Sequence, residues 1–231
     1  MAKKVLIAGA TGLVGYAAMK HFASRPDCDV LALSRRRPDD TFGARWLPLD
    51  LTDAAACAAL APQFSGTTHL VYAALHERPG LVAGWREDEQ IRTNEAMLTN
   101  LFAAVEQPAL KHVALLQGTK AYGAHLGPYK TPARETDPRI ISPPFYNPQQ
   151  DYPTALAADR PWTWSVMRPR SSLGFSIGST MNMITALGAY AAISKELGLP
   201  LCFPGAEGEY KRMDQAVDTV QLVKASVWAA T

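Results

Sequence analysis

Residues Lys3–Gly15 read KKVLIAGATGLVG, and this stretch decides the fold of the chain. A short apolar run ends in three glycines spaced three apart, and an apolar-periodic stretch follows them. This order predicts a buried strand, a tight turn and the start of a helix. In such a turn Gly9 permits the reversal of the chain, Gly12 lets a ligand approach the backbone, and Gly15 lets the helix pack close to the sheet.

Backbone N–H groups in a turn of this kind point towards the N-terminus of the helix, where the helix dipole is positive. Together they form a site that suits a pyrophosphate. The sequence therefore predicts a dinucleotide site at the turn. The alternative is a structural turn between a strand and a helix in an ordinary α/β domain. The residues predicted to contact the dinucleotide are Gly9, Thr11, Gly12, Leu13, Val14 and Gly15.

Composition predicts one globular domain over residues 1–231, with 48% hydrophobic and 19% charged residues. A net charge of +2 creates no field that favours a nucleic acid or a membrane surface as a partner. Three separated cysteines and five histidines without ligand spacing predict no metal site, and they fit a reducing, cytoplasmic compartment. No apolar stretch has transmembrane length, and the first is not a signal peptide.

Apolar runs alternate with helical patterns along the chain, which predicts an α/β fold with a doubly wound parallel sheet, the Rossmann arrangement. The predicted strands are Val5–Ala8, Val30–Leu33, Arg45–Leu49, His69–Ala74, Val113–Gln117 and Thr163–Met167. The predicted helices are Leu13–Ala23, Asp53–Ala61, Glu87–Glu106, Met181–Leu197 and Asp214–Ala230.

Ligands of such sheets bind beyond the carboxyl ends of the strands. The residues that follow the strands are therefore further candidates for contact with a cofactor. These candidates are Ser34, Arg35, Arg36, Asp50, Leu51, Ala73, Ala74, Gln117, Pro169 and Ser171.

The end of the second strand bears on the choice of cofactor. An acidic residue at this point binds the ribose 2′-hydroxyl in NAD enzymes, and the chain has Ser34 and Arg35–Arg36 instead. A hydroxyl and two guanidinium groups suit a 2′-phosphate, which predicts NADP(H). A solvated basic turn is the alternative. After the third strand, Asp50 could accept from the adenine amino group, whereas Asp53 or Thr52 would cap the next helix.

Residues 118–162 show no convincing helix or strand pattern. Nine of the 17 prolines lie between Pro128 and Pro169. Long irregular segments in compact domains are usually functional or mobile, and this one leaves the carboxyl end of a strand. We therefore interpret it as an active-site segment, and it contains Lys120 and Tyr146.

Short-chain reductases use a phenol that donates to the substrate oxygen, and a lysine that lowers the pKa of the phenol and holds the nicotinamide ribose. Their usual spacing of four matches only Tyr16 and Lys20, which lie at the diphosphate end of the predicted cleft and are interpreted as a chance match. The stretch Gly174–Gly178, GFSIG, is similar to a hydrolase elbow, but no histidine follows it, as that triad order requires. The remaining candidates are Lys120 and Tyr146.

Two motifs surround these candidates: Gln117–Tyr122 reads QGTKAY, and Pro144–Asp151 reads PFYNPQQD. They resemble the lysine segment and the Asn-Phe-Tyr-Tyr-x-x-Glu-Asp motif of the progesterone 5β-reductase/iridoid synthase-like (PRISE) group of atypical short-chain dehydrogenase/reductases. The GxxGxxG spacing is also similar to that of extended and atypical members. Further matching stretches are Trp164–Pro169, Gly174–Phe175, Met181–Asn182, Ala189–Ile193 and Val227–Ala230.

The resemblance implies NADPH-dependent reduction of an activated carbon–carbon double bond in a small apolar enone. It implies that Tyr146 stabilises the enolate after hydride reaches the β-carbon, and that Lys120 positions the ribose and tunes the tyrosine, so both would contact the cofactor. Two other interpretations stay open on the same fold: a ketone reductase or epimerase, and a non-catalytic NADP-sensing or partner-binding protein.

Members of the group continue past Val227–Ala230 with a part that closes over the substrate. We therefore expect either a fragment or a protein with a more open pocket, its C-terminal substrate part shortened or absent. The apolar helix Met181–Leu197 is interpreted as core packing against the sheet. A homodimer face or a wall of an apolar substrate site are the alternatives.

Overall fold

Six parallel strands form the central sheet of the computed structural model, which describes residues 3–78, 87–140, 145–179, 182–211 and 214–231. Their order, β3-β2-β1-β4-β5-β6, confirms the predicted doubly wound arrangement. The strands are β1 Lys3–Ala8, β2 Cys28–Ser34, β3 Arg45–Pro48, β4 His69–Tyr72, β5 His112–Leu116 and β6 Thr163–Met167.

The strands alternate with helices, because parallel neighbours need a crossover connection. The α-helices in the described residues are α1 Leu13–Ala23, α2 Ala54–Leu60, α3 Asp88–Val105, α4 Tyr146–Ala157, α5 Met183–Glu196, α6 Glu207–Tyr210 and α7 Thr219–Ala229. As one of the two expected caps, Asp53 accepts a hydrogen bond from the backbone N–H of Ala56 at 2.9 Å at the start of α2. Within the described ranges no helix is both long enough and apolar enough to cross a membrane.

Both faces of the sheet are buried, because successive side chains of a strand point to opposite faces. Leu6 and Ala8 of β1 belong to a core cluster that includes Phe102 of α3. Val5 and Ile7 belong to a second cluster, with residues of α1 and α7. Each fully buried leucine or valine contributes about 1.5–3 kcal/mol, so the two clusters hold the strand ends in fixed positions.

Helix α4 corrects the expectation that residues 118–162 contain no helix. Two prolines had hidden it. Pro148 lies in the first turn, where a backbone N–H has no acceptor within the helix. Pro153 lies inside the helix and removes one hydrogen bond, but α4 packs on α3, where the rings of Tyr152 and Phe102 meet edge to face at 5.6 Å. Tertiary packing therefore outweighs the unfavourable local sequence.

A second, two-stranded sheet was also missed. Strand β7, Ser171–Leu173, pairs in parallel with β8, Ala216–Asp218. The predicted helix Asp214–Ala230 consequently begins later, at Thr219, where the Asp218 carboxylate accepts from the first backbone N–H groups. Strands of three residues are too short to give a readable alternation of apolar and polar residues.

Helix α5 is not packed into the core, so the interpretation of 181–197 as a core helix was wrong. Met183, Ile184 and Leu187 are about half exposed, and Ser194 is the buried residue of the helix. The helix begins after Asn182, whose side chain accepts from the N–H of Ile184, and the predicted first residue, Met181, lies outside the described residues. The dimer face and the substrate wall stay predictions.

Candidate functional site

The glycine turn packs tightly on the end of β4. Gly9 has a φ of 84°, and a Cβ built on it would lie 2.7 Å from the carbonyl oxygen of Ala73 and 2.8 Å from the Cα of Ala74. A Cβ on Gly15 would overlap the carbonyl group of Gly9. The strand, the turn and α1 therefore meet at distances that only glycine allows.

The N-terminus of α1 opens on this turn. Its N-cap residue, Gly12, has no side chain to accept hydrogen bonds, and the first turn of the helix carries no acidic residue. The backbone N–H groups of Leu13, Val14 and Gly15 come first in the helix, so they have no acceptor within it. An uncapped helix start with a positive dipole fits the diphosphate of a dinucleotide.

The GFSIG stretch is tied to the turn and to the end of β2. Ser176 donates its hydroxyl hydrogen bond to the carbonyl of Thr11 at 2.8 Å. The Arg36 guanidinium donates to the carbonyl of Ile177 at 2.6 Å. Both bonds lie beside the predicted cofactor cleft, and they give Ser176 a structural contact that sequence reasoning did not foresee.

The predicted 2′-phosphate residues differ in their availability. The buried Ser34 hydroxyl donates to the carbonyl of Arg36 at 2.6 Å and accepts from the Trp46 indole at 3.0 Å. The hydroxyl is therefore already hydrogen-bonded to other groups of the protein. Arg35 and Arg36 are exposed, and one nitrogen of the Arg36 guanidinium is already bound to the Ile177 carbonyl. A phosphate at this edge would therefore meet guanidinium groups before it meets the hydroxyl.

The residues after β3 also form hydrogen bonds within the protein. Asp50 Oδ1 accepts from the backbone N–H of Thr52 at 3.0 Å and from its hydroxyl at 2.8 Å. These bonds lower the pKa of Asp50, so its exposed carboxylate is ionised at neutral pH. The Leu51 carbonyl accepts from the side chain of Asn100 at 2.9 Å.

Tyr146 is the first residue of α4 and is 8% exposed. A Cβ built on Gly118 would lie 3.2 Å from the Tyr146 hydroxyl oxygen and 3.4 Å from the carbonyl oxygen of Pro169. The hydroxyl therefore lies at the carboxyl ends of β5 and β6, where ligands of such sheets bind.

Burial raises the pKa of the Tyr146 phenol above its usual range, and the carboxylate of Glu77 raises it further. The net shift is upward, because loss of hydration disfavours the phenolate, and the lowering expected from a lysine stays a prediction. The phenol therefore keeps its proton at neutral pH.

Lys120 lies two residues after Gly118, in a short 3₁₀ helix, Thr119–Tyr122. Burial lowers the pKa of Lys120 to about 8, and the opposite charge of Glu77 acts against this shift. The next residue, Ala121, packs against the cluster that Phe145 and Tyr146 form. The structure thus brings the two candidate residues into one neighbourhood, with a carboxylate that influences both.

Sequence reasoning missed Glu77, although it follows β4 at the edge where ligands were expected. Its neighbours on both sides are fixed by amides of α3. The backbone N–H of His76 donates to Asn94 Oδ1 at 2.9 Å, and the N–H of Arg78 donates to Gln90 Oε1 at 3.0 Å. The backbone on either side of Glu77 is therefore held by two buried side chains.

The last predicted contacts surround the tyrosine. Gln117 is buried, and its Nε2 donates to the carbonyl of Tyr146 at 2.9 Å. Ser171 begins β7, one residue beyond the Arg170 that follows Pro169. Pro144, the first residue of the tyrosine motif, lies outside the described residues.

Solved structures resemble this fold over most of its length. WbmH of Bordetella bronchiseptica superposes with a TM-score of 0.74 at 19% identity, over 100% of this chain and 72% of that one. A UDP-glucose 4-epimerase from Thermus thermophilus superposes with a TM-score of 0.74 at 18% identity, over 98% of this chain and 74% of that one. Together with the glycine turn, this fold defines a Rossmann-type domain.

Sequence comparison narrows the class to a family. A model described as the PRISE-like Rossmann-fold domain matches residues 79–229. The chain is 32% identical over 241 residues to (S)-8-oxocitronellyl enol synthase ISY2 of Nepeta cataria, covering 97% of this chain and 59% of that protein. It is 31% identical over 252 residues to 3-oxo-Delta(4,5)-steroid 5-beta-reductase of Arabidopsis thaliana, and the match covers 97% of this chain and 60% of that protein.

The chain therefore belongs to the PRISE-like Rossmann-fold family, and the resemblance seen in its motifs is confirmed. It spans about three fifths of the length of these curated relatives.

Proposed function

We propose that this chain carries the cofactor-binding and catalytic part of an NADPH-dependent reductase that acts on activated carbon–carbon double bonds. The observation that carries the proposal is the Tyr146 hydroxyl against Gly118, with Lys120 two residues further on. The names of two relatives, an enol synthase and a steroid 5-beta-reductase, support the same chemistry.

The glycine turn fits a dinucleotide. Each part of such a cofactor has candidate binding residues in this chain. The backbone N–H groups of residues 13–15 would hold the diphosphate. Arg35 and Arg36 would hold a 2′-phosphate, Asp50 would accept from the adenine amino group, and Lys120 would donate to the nicotinamide ribose.

When bound, a reduced nicotinamide supplies the hydride that adds to the β-carbon of the enone. Negative charge then develops on the carbonyl oxygen, and Tyr146 donates a hydrogen bond to that oxygen. Because burial keeps the phenol protonated and reduces its hydration, such a donor is worth about 3 kcal/mol of barrier. Lys120 contributes positive charge at the same edge, and a proton from solvent at the α-carbon completes the saturated carbonyl.

A direct test is turnover of a small enone by the purified chain. We expect cyclohexenone to be converted to cyclohexanone with matching loss of NADPH, measured by absorbance and by mass spectrometry of the product. Formation of the allylic alcohol would identify a carbonyl reductase instead and overturn the proposal. Tight NADPH binding without turnover of any enone would favour the cofactor-sensing alternative.

Arg36→Ala is expected to weaken NADPH binding by about 10- to 100-fold and to leave NADH binding almost unchanged. The reason is that a charge-assisted bond to the 2′-phosphate contributes about 1.5–3 kcal/mol, whereas NADH lacks that phosphate. Fluorescence titration with both cofactors measures the effect. Arg37→Ala is the matched control, because Arg37 is also exposed but lies over the Trp46 ring. An equal loss for both cofactors would contradict the assigned role.

The kcat/KM for NADPH is expected to fall as the pH rises through about 8. The Lys120 amine is charged below this pKa and neutral above it, so its bond to the ribose weakens with rising pH. Lys120→Arg stays charged, and its profile should remain level between pH 7 and about 9.5 even if the absolute rate is lower. The same decline in the variant would remove Lys120 as the source of the pH dependence.

A further inference from the structure

Arg168 follows β6 directly and connects the two segments that carry the candidate catalytic residues. Its Nε donates to Gln117 Oε1 at 3.2 Å, its Nη1 to the Tyr122 hydroxyl at 3.0 Å, and its Nη2 to Gln150 Oε1 at 2.6 Å. One guanidinium group thus binds the end of β5, the 3₁₀ helix of Lys120 and helix α4.

We propose that Arg168 is a positioning residue that fixes the distance between Lys120 and Tyr146 in the reaction proposed above, on which this inference rests. It acts through other side chains and is not assigned a contact with substrate or cofactor.

Two routes lead from Arg168 to Tyr146. In the first, Gln117 accepts from Arg168 through its oxygen and donates through its nitrogen to the Tyr146 carbonyl. In the second, Gln150 lies four residues after Tyr146, so both side chains lie on the same face of α4. The helix is therefore held at its first residue and again one turn later, which limits rotation and sliding of the phenol.

A third route leads to Lys120. Tyr122 lies two residues after Lys120, accepts from Arg168 Nη1, and has its ring 5.0 Å from the guanidinium carbon. The Tyr122 ring also stacks on Tyr129 at 6.5 Å. A planar group with several fixed donors can satisfy these partners at once, whereas a lysine ammonium has a single flexible nitrogen and no plane to stack.

The chemical nature of the groups that Arg168 binds indicates that it positions other side chains and does not neutralise a charge. All three acceptors are neutral, and within the described ranges Arg168 takes part in no salt bridge. By contrast, Arg139 binds the Asp151 carboxylate of α4 at a half-exposed site, and among the residues that the structure describes it makes no hydrogen bond to 117–122. Arg139 is therefore a matched control that touches the same helix without joining it to the lysine segment.

The test compares Arg168→Lys with Arg139→Lys, each in the natural background and in a Tyr146→Phe background. Because Arg168 acts through Tyr146, Arg168→Lys should lower kcat by roughly 10- to 100-fold and change the Kd for NADPH less than about threefold. The loss of kcat should be several-fold smaller in the Tyr146→Phe background, where only the route to Lys120 still matters. The same fold-loss of kcat in both backgrounds would overturn the proposal. Arg139→Lys should leave kcat unchanged.

Hydrogen exchange measured by mass spectrometry gives a readout that does not depend on turnover. Arg168→Lys should accelerate exchange in residues 118–123 and in the first turn of α4 together, and leave β1 and β4 unchanged. Unaltered exchange in either segment would overturn the positioning role. If the natural chain reduces no enone, the proposed function fails, and the exchange result alone decides the positioning role. Should Arg168→Lys not fold, Gln150→Ala removes one bond and should give smaller changes in the same direction.

Discussion

Tyr146→Phe is expected to lower kcat for enone reduction by two to three orders of magnitude. The substitution removes one hydroxyl that donates to the oxygen where negative charge develops, and in a buried site such a donor contributes about 3–4 kcal/mol. The ring keeps its packing with Phe145, which it meets at 4.6 Å, so the fold should be retained. The Kd for NADPH should change little, and steady-state kinetics with a fluorescence titration would measure both quantities.

Tyr152→Phe is the matched control for this result. It lies on the same helix and also loses one hydroxyl, but its ring packs on Phe102, away from the lysine segment. We expect this variant to have the same kcat and the same Kd for NADPH as the unmutated chain. Activity within about twofold of the natural chain in Tyr146→Phe would exclude the tyrosine from the assigned role.

Gly15→Ala is expected to destabilise the chain by about 3 kcal/mol and to abolish measurable NADPH binding. Its Cβ would overlap the carbonyl group of Gly9, so helix α1 must move away from the turn. This loss of stability is at the upper end of what an extra carbon atom costs when it is inserted into a tightly packed core. Movement of α1 also displaces the N–H groups that hold the diphosphate. Urea denaturation and cofactor titration would measure the two effects.

Gly188→Ala makes the same chemical change at a harmless position. Gly188 lies inside α5, and a Cβ there would meet no described atom within 4 Å apart from its chain neighbours and the backbone of its own helix. Because alanine is a better helix former than glycine, this variant should be more stable by up to about 1 kcal/mol and should bind NADPH normally. A Gly15→Ala protein with natural stability and affinity would contradict the tight approach described at the turn.

Much of the fold could be predicted because its signals are local. The strand, turn and helix at Lys3–Ala23 follow from three glycines and an apolar run, and the remaining strands follow from short apolar stretches. Helix α4 was hidden because Pro148 and Pro153 mask a helix that tertiary packing stabilises. The exposure of α5 could not be foreseen, because an apolar pattern does not reveal whether a partner surface covers it.

The candidate site was predicted less completely for the same physical reason. Motifs point to Lys120 and Tyr146 because each lies in a recognisable stretch. The influence of Glu77 and the three bonds of Arg168 depend on which strand ends meet at one edge. The engagement of Ser34 with Trp46 likewise depends on the pairing of β2 with β3, and no short stretch of sequence records it.

The pairing of β7 with β8 has an evolutionary consequence. Ser171 lies opposite Ala216 and Leu173 opposite Asp218 in this small parallel sheet, so the excursion over residues 174–215 leaves and re-enters the domain at the two ends of one short strand pair. Lengthening a segment between fixed ends costs little free energy. Descendants of such a chain could therefore exchange or enlarge this excursion while the sheet beneath it stays the same.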